Sequence, residues 1–78
     1  MSAGFIYQWA RSGVVGNIRV TDPGPEGDNV AFSFSGCTPR LQTFLRQTDV
    51  PPSPDVPVRF SIVFWNGHWV ATNVDGPV

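Results

Sequence analysis

The dipeptide Asn66-Gly67 lies between two runs in which apolar and polar residues largely alternate, 56–65 and 68–74. A two-residue type I′ turn needs positive φ at both central positions, and Asn-Gly is the strongest short-range signal for it. The sequence therefore predicts a β-hairpin in which Trp65 faces His68. One face of this hairpin has the composition of a core and carries Val58, Phe60, Ile62, Phe64, Trp69 and Ala71.

The opposite face of the predicted hairpin is unusually apolar near the turn. It carries Arg59, Ser61, Val63, Trp65, His68, Val70 and Thr72. A small domain has one interior, so we expect this second face to be covered. The candidates are the segment that carries Leu41, Phe44 and Leu45, or another chain, unless a bulge shifts the register.

Three further strand-like runs precede the hairpin, at 4–10, 14–20 and 29–35, with Gly, Pro, Asn or Asp between them. Thr38-Pro39 then predicts the start of a helix, with Thr38 as N-cap and Pro39 at the first helical position. Leu41, Phe44 and Leu45 follow at helical spacing. Five short strands in 78 residues predict a small antiparallel all-β barrel. The helix between strands three and four favours an OB-fold over the alternative, an SH3-like barrel.

Composition limits the class of protein. The chain has the length of one domain, 1–78, and its 41% hydrophobic residues exclude a disordered polar segment. No apolar run approaches the roughly 20 residues of a membrane-spanning helix, and the first residues do not resemble a signal peptide. A single cysteine, Cys37, suits a reducing compartment, so we expect an intracellular, cytoplasmic protein.

Reactive chemistry has little support in the sequence. Cys37 and the lone His68 are too few for a zinc site, and a buried, unreactive thiol is the better interpretation of Cys37. No paired-carboxylate spacing or phosphate-binding loop occurs. We therefore expect no enzymatic activity, no metal and no cofactor.

The motifs, taken in order, resemble those of the cold-shock domain family. Gly4–Ala10 (GFIYQWA) is similar to the opening G-x-V-K-W-F-N of that family, and Asn29–Ser35 (NVAFSFS) is similar to its D-V-F-V-H-F-S motif. Gly16-Asn17-Ile18, Val58–Ile62 and Ala71–Val74 match three further family positions, so the resemblance covers nearly the whole chain. It implies an OB-fold that binds single-stranded RNA or DNA by stacking bases on aromatic side chains of strands one to three.

The chain departs from the family in the residues that would bind. Gln8, Asn17, Ala31 and Ser33 stand where the family has stacking groups, and there is no lysine. The formal net charge is −1, whereas nucleic-acid binders usually carry a basic surplus. We therefore expect weak, salt-sensitive binding of single strands. The candidate residues are Tyr7, Trp9, Phe34 and Phe44 for stacking, and Arg11, Arg19 and Arg59 for phosphates.

A second function fits the same residues. The domain could have lost nucleic-acid binding and become a protein-interaction or oligomerisation module. Trp65, His68 and Trp69 are then the candidate interface, because tryptophan is a typical anchor of protein interfaces.

Overall fold

The computed structural model describes residues 1–9, 15–22, 29–47 and 56–78. These ranges contain five strands: β1 (Ser2–Trp9), β2 (Val15–Asp22), β3 (Asn29–Ser33), β4 (Val56–Trp65) and β5 (His68–Asp75). One helix, α1 (Pro39–Gln47), lies between β3 and β4. The predicted element order is confirmed. β3 ends earlier than predicted, because Phe34–Gly36 forms a 3-10 turn in which the Ser33 hydroxyl accepts a hydrogen bond from the Gly36 N–H at 3.1 Å.

The strands close into a barrel in the order β1-β2-β3-β5-β4. Antiparallel ladders join β1 to β2 and β4, β2 to β3, and β4 to β5. The contact between β3 and β5 is parallel, at Ala31 and Val70, whereas we predicted an antiparallel barrel throughout. It is parallel because α1 and β4 bring the chain back before β5 starts, so β5 runs in the direction of β3. The protein is thus a small five-stranded, OB-like barrel.

One apolar core fills the barrel. At Gly16 on β2 the neighbouring strands approach the backbone closely. A Cβ at this position would lie 2.6 Å from both the Gln8 carbonyl oxygen and the Phe32 ring. The buried apolar residues are Ile6, Trp9, Ile18, Val20, Val30, Phe32, Cys37, Leu41, Leu45, Val56, Val58, Phe60, Ala71 and Val74.

Helix α1 belongs to this core. The Thr38 hydroxyl accepts a hydrogen bond from the Leu41 N–H at 3.4 Å, as expected for an N-cap. Leu41 and Leu45 are fully buried, and Phe44 packs partly buried against the core. α1 therefore does not serve as the predicted cover for the outer face of the hairpin. In the described part of the chain, no helix is long and apolar enough to cross a membrane.

The hairpin has the predicted register: Trp65 faces His68, Phe64 faces Trp69 and Val63 faces Val70. Both turn residues have positive φ, 55° at Asn66 and 88° at Gly67, as a type I′ turn requires. The assignment of Phe64 and Trp69 to the core was wrong, since they are 62% and 46% exposed. The ladder between β1 and β4 ends at Phe60, so the end of the hairpin extends past the barrel wall and leaves its inner face open.

Candidate functional site

The hairpin tip, residues 63–70, carries the most conspicuous exposed apolar surface of the described chain. Trp65 is 67% exposed and lies on the outer face, while Phe64 and Trp69 lie on the inner face. The Phe64 and Trp69 rings meet edge to face, with centroids 5.2 Å apart and an angle of 77° between the planes. This geometry holds each ring against the other and leaves aromatic surface open to a ligand.

An open cleft of about 700 Å³ lies between the hairpin tip and strands β2 and β3 of the barrel. We call it the tip cleft. Phe64, His68 and Trp69 line one side, and Asn17 of β2 and Asn29 of β3 line the other. Gly67, Val30 and Ala31 complete the lining. The cleft combines two aromatic rings, an imidazole and two side-chain amides, and its lining contains no Asp, Glu, Lys or Arg.

A second hollow, of about 360 Å³, touches the outer face of the tip. We call it the neutral groove. Trp65 and Val70 contribute from the hairpin, and Val15 and Ser33, which are paired across β2 and β3, contribute from the barrel. Ala31, Phe32, Ala71 and Thr72 complete the lining. Ala31 lines both hollows, so the two lie next to each other where β3 meets β5.

A bulge in β1 shapes the barrel side of the tip cleft. The pairing with β2 skips Tyr7, so that Ile6 faces Ile18 and Gln8 faces Asn17. The Asn17 amide donates a hydrogen bond to the Gln8 side-chain oxygen at 3.1 Å, which orients Asn17 in the cleft wall.

Arg19 lies on the same face of β2 as Asn17, two positions farther from the hairpin tip. It lies opposite Asn29 in the β2–β3 ladder, and its guanidinium carbon is 5.8 Å from the centre of the Tyr7 ring. Tyr7 and Arg19, two of the predicted binding residues, are thus brought together, and Arg19 is paired with the cleft residue Asn29.

Trp9 does not have the predicted position. It is only 5% exposed, and its ring stacks on Phe32 and Phe34 at centroid distances of 5.8 and 5.7 Å. The sequence placed it on a base-stacking platform, but its ring belongs to the core because the bulge at Tyr7 shifts the alternation of β1. Phe34 is half-buried between this stack and Arg46, whose guanidinium carbon lies 5.0 Å from the ring centre.

The remaining candidates lie apart from the cleft. Phe44 packs on the core from α1. Arg59 is exposed on β4, in register with Ala3 and Asp75 and far along the strand from the tip. Arg11 lies outside the described residues.

Burial raises the pKa of the Cys37 thiol to about 12, so this thiol is not a nucleophile at neutral pH. Among those residues, no group of three or more His, Cys, Asp or Glu side chains could hold a metal ion. Hydrogen bonds, first from Thr38 and then from Arg40, lower the pKa of Asp75. The same contacts attach the start of α1 to β5.

The sequence did not predict the tip cleft. The prediction of Trp65, His68 and Trp69 as a protein interface remains a prediction. Phe64 was predicted as core, but it is exposed and lines the cleft together with His68, Trp69, Asn17 and Asn29. The signal that could have found the cleft is topological. OB-fold barrels present the loop between strands four and five beside the face of strands two and three.

No model of a protein family matches the chain, and no curated protein matches it.

Proposed function

We propose that the chain binds single-stranded nucleic acid, RNA or DNA, in the tip cleft. The observation that carries the proposal is the group of exposed rings at the hairpin tip, Phe64, Trp65 and Trp69, beside the outer face of β2 and β3. OB-fold barrels bind oligonucleotides with this face and with the loop between strands four and five. The ligand class is the one that the cold-shock resemblance implies, but the main stacking residues move from β1–β3 to the tip.

The chemistry of the cleft suits unpaired bases. A base stacked on an aromatic side chain contributes about 1–3 kcal/mol to binding, whichever base it is. The amides of Asn17 and Asn29 can donate to and accept from base edges, which are accessible when the strand is unpaired. Bases in a duplex are already stacked and paired, so the cleft should favour single strands.

Charge sets the strength of the proposed interaction. Among the arginines that the structure describes, Arg19 is the one that borders the cleft, through its pairing with Asn29. Arg40 pairs with Asp75 and Arg46 lies over Phe34, both on α1. Few phosphates are neutralised, so binding should be weak and salt-sensitive, with a small slope of log K against log salt. We place this activity in the cytoplasm, where the lone buried thiol of Cys37 is compatible with a reducing environment.

Fluorescence anisotropy with labelled oligo-dT, oligo-U and a duplex of equal length tests the proposal. We expect both single strands to bind and the duplex to bind at least tenfold more weakly. Trp69→Ala should weaken single-strand binding about 5- to 150-fold, the equivalent of one stacked base. Trp69→Phe keeps a ring in the cleft and serves as the matched control, with affinity close to that of wild type. Equal affinity for duplex and single strands, or no effect of Trp69→Ala, would contradict the proposal.

A protein-interaction module is the second candidate, and the neutral groove favours it. Its lining contains no charged residue and includes Trp65, Val70 and Val15, a composition that suits an apolar side chain of a protein partner. If no oligonucleotide binds at any salt concentration tested, this second function replaces the first.

A further inference from the structure

The outer edge of the hairpin tip is an open strand edge. The ladder between β1 and β4 ends with Ser2 opposite Phe60, while the ladder between β4 and β5 continues to Trp65. Among the described residues, the segment 61–65 therefore has a neighbour on its β5 side and none on its β1 side. An unpaired edge presents N–H and C=O groups that can pair with another strand.

The turn identifies which backbone groups face outward. A two-residue turn is closed by a hydrogen-bonded pair, here Trp65 with His68, and such pairs alternate along an antiparallel ladder. Val63 and Ser61 therefore also bond to β5. The N–H and C=O groups of Ile62 and Phe64 point away from β5, toward the open edge.

Among the described residues, this edge lacks the devices that usually keep strand edges from associating. Proteins protect open edges with lysine and other charges, proline or a covering element. Residues 60–74 contain no Asp, Glu, Lys, Arg or Pro, and His68 is the one titratable residue among them. Val63, Phe64 and Trp65 are all exposed next to the free backbone groups.

We propose that the edge formed by 61–65 of β4 pairs with the same edge of a second copy of this chain, as an antiparallel two-fold dimer. Antiparallel pairing about Val63 places Ile62 opposite Phe64 of the second copy, and Phe64 opposite Ile62. Each of these pairs exchanges the outward-facing N–H and C=O groups. The segment is therefore complementary to itself, which is the reason to name a second copy rather than another protein as the occupant.

Side chains fit the same register. Val63 lies on the two-fold axis and meets Val63 of the second copy at the close spacing of a non-hydrogen-bonded pair, about 4.5 Å between Cα atoms. Trp65 lies opposite Ser61 and next to Val63 of the second copy, so part of its exposed ring becomes covered. With five residues per copy the contact falls at the small end of protein interfaces, below about 1,200 Å², and the dimer should be weak.

The dimer leaves the tip cleft open. Edge pairing continues the sheet sideways and keeps the Phe64 and Trp69 side of both copies on one face. The proposal therefore does not depend on nucleic-acid binding.

Sedimentation velocity from about 5 µM to about 500 µM tests the dimer, since weak interfaces of this size dissociate in that range. We expect the wild-type chain to shift from monomer to dimer as the concentration rises. Val63→Lys and Val63→Glu should each stay monomeric, because like charges would meet directly opposite each other on the axis. Val63→Thr, similar in shape and uncharged, is the matched control and should still dimerise.

Mixing the two charged variants makes the test independent of folding defects. An equimolar mixture of Val63→Lys and Val63→Glu should dimerise, because opposite charges then meet on the axis. A wild-type chain that stays monomeric at every concentration overturns the proposal. So does a mixture that stays monomeric while wild type dimerises, since Val63 would not lie at the axis.

Discussion

Trp9 and Trp69 are the same residue type at the inner face of two strands, yet one is buried and the other nearly half exposed. Alternation along each strand is visible in the sequence and predicts the face correctly for Trp69. Whether that face is covered depends on where the ladder between β1 and β4 ends, at Phe60. This pairing joins residues far apart in the chain, and no local pattern encodes it.

Trp9 gives a test of core packing at this scale. Its indole Nε1 is buried and has no hydrogen-bond partner among the described residues, and an unpaired buried donor costs about 1–3 kcal/mol. Trp9→Phe removes that donor and keeps an aromatic ring between Phe32 and Phe34, so we expect the free energy of unfolding to change by less than about 1 kcal/mol. Trp9→Ala should cost about 3–5 kcal/mol. Urea titration measures both, and a Trp9→Phe loss as large as that of Trp9→Ala would refute this account.

Arg19 and Arg59 form a matched pair for the charge of the proposed nucleic-acid site. Both are exposed on strands, but Arg19 borders the tip cleft and Arg59 lies along β4 away from it. Arg19→Gln should weaken oligo-dT binding and reduce the slope of log K against log salt by about 0.7, the value for one phosphate contact on a single strand. Arg59→Gln should leave the slope unchanged. Equal slopes for the two variants would show that charge acts without a defined site.

At the scale of elements, α1 is the segment whose sequence signals and structure agree most closely. Thr38 and Pro39 mark its start, and the spacing of Leu41 and Leu45 marks its buried face. These signals are local, which is why they were predictable. The contact of α1 with β5 was not, because it joins Thr38 and Arg40 to Asp75 across 37 and 35 positions of the chain.

The cap of α1 can be tested with two substitutions of the same type. Thr38→Ala removes both the N-cap and the 2.7 Å hydrogen bond to Asp75, so it should cost about 0.5–2 kcal/mol. Thr43→Ala on the same helix removes only a bond to the Pro39 carbonyl within α1 and should cost about 0.5 kcal/mol or less. Thermal unfolding should show a clearly lower Tm for Thr38→Ala, and similar Tm values for the two variants would contradict the cap.

Asp75 makes the attachment of α1 depend on pH. Its pKa is lowered from the ordinary 3.8, first by the Thr38 hydrogen bond and then by Arg40. A carboxyl with a depressed folded-state pKa stabilises the fold above its unfolded pKa, and that contribution is lost as pH falls through the folded pKa. Asp75→Asn should therefore lower the Tm at pH 7, and the difference from wild type should shrink below pH 4. A difference that is constant between pH 7 and pH 2 would exclude this role.

For the whole molecule, the order of elements was predictable and the proposed binding face was not. Turn residues, period-two alternation and the Thr38-Pro39 start each identify an element, and their order predicts the OB-like barrel. The tip cleft arises only when β4 and β5 extend past the barrel and lie beside β2 and β3. In the sequence, Asn17 and Asn29 are ordinary polar residues. In the folded barrel they line one cleft together with Phe64, His68 and Trp69.

The parallel contact between β3 and β5 closes the barrel with fewer register pairs than any of the other described ladders. The described β3–β5 ladder holds one register pair, Ala31 with Val70, and the bridge between Cys37 and Val74 supports it nearby. Backbone amides that bond across the β3–β5 contact should therefore exchange with deuterium sooner than those of the β1–β2 ladder, because local opening needs fewer bonds to break. Ala31 also lines the tip cleft and the neutral groove. A ligand that contacts both β3 and the hairpin should therefore stabilise the β3–β5 contact against local opening. Slower amide exchange at the β3–β5 contact would then show that a ligand is bound in the cleft or the groove, without any label on the ligand.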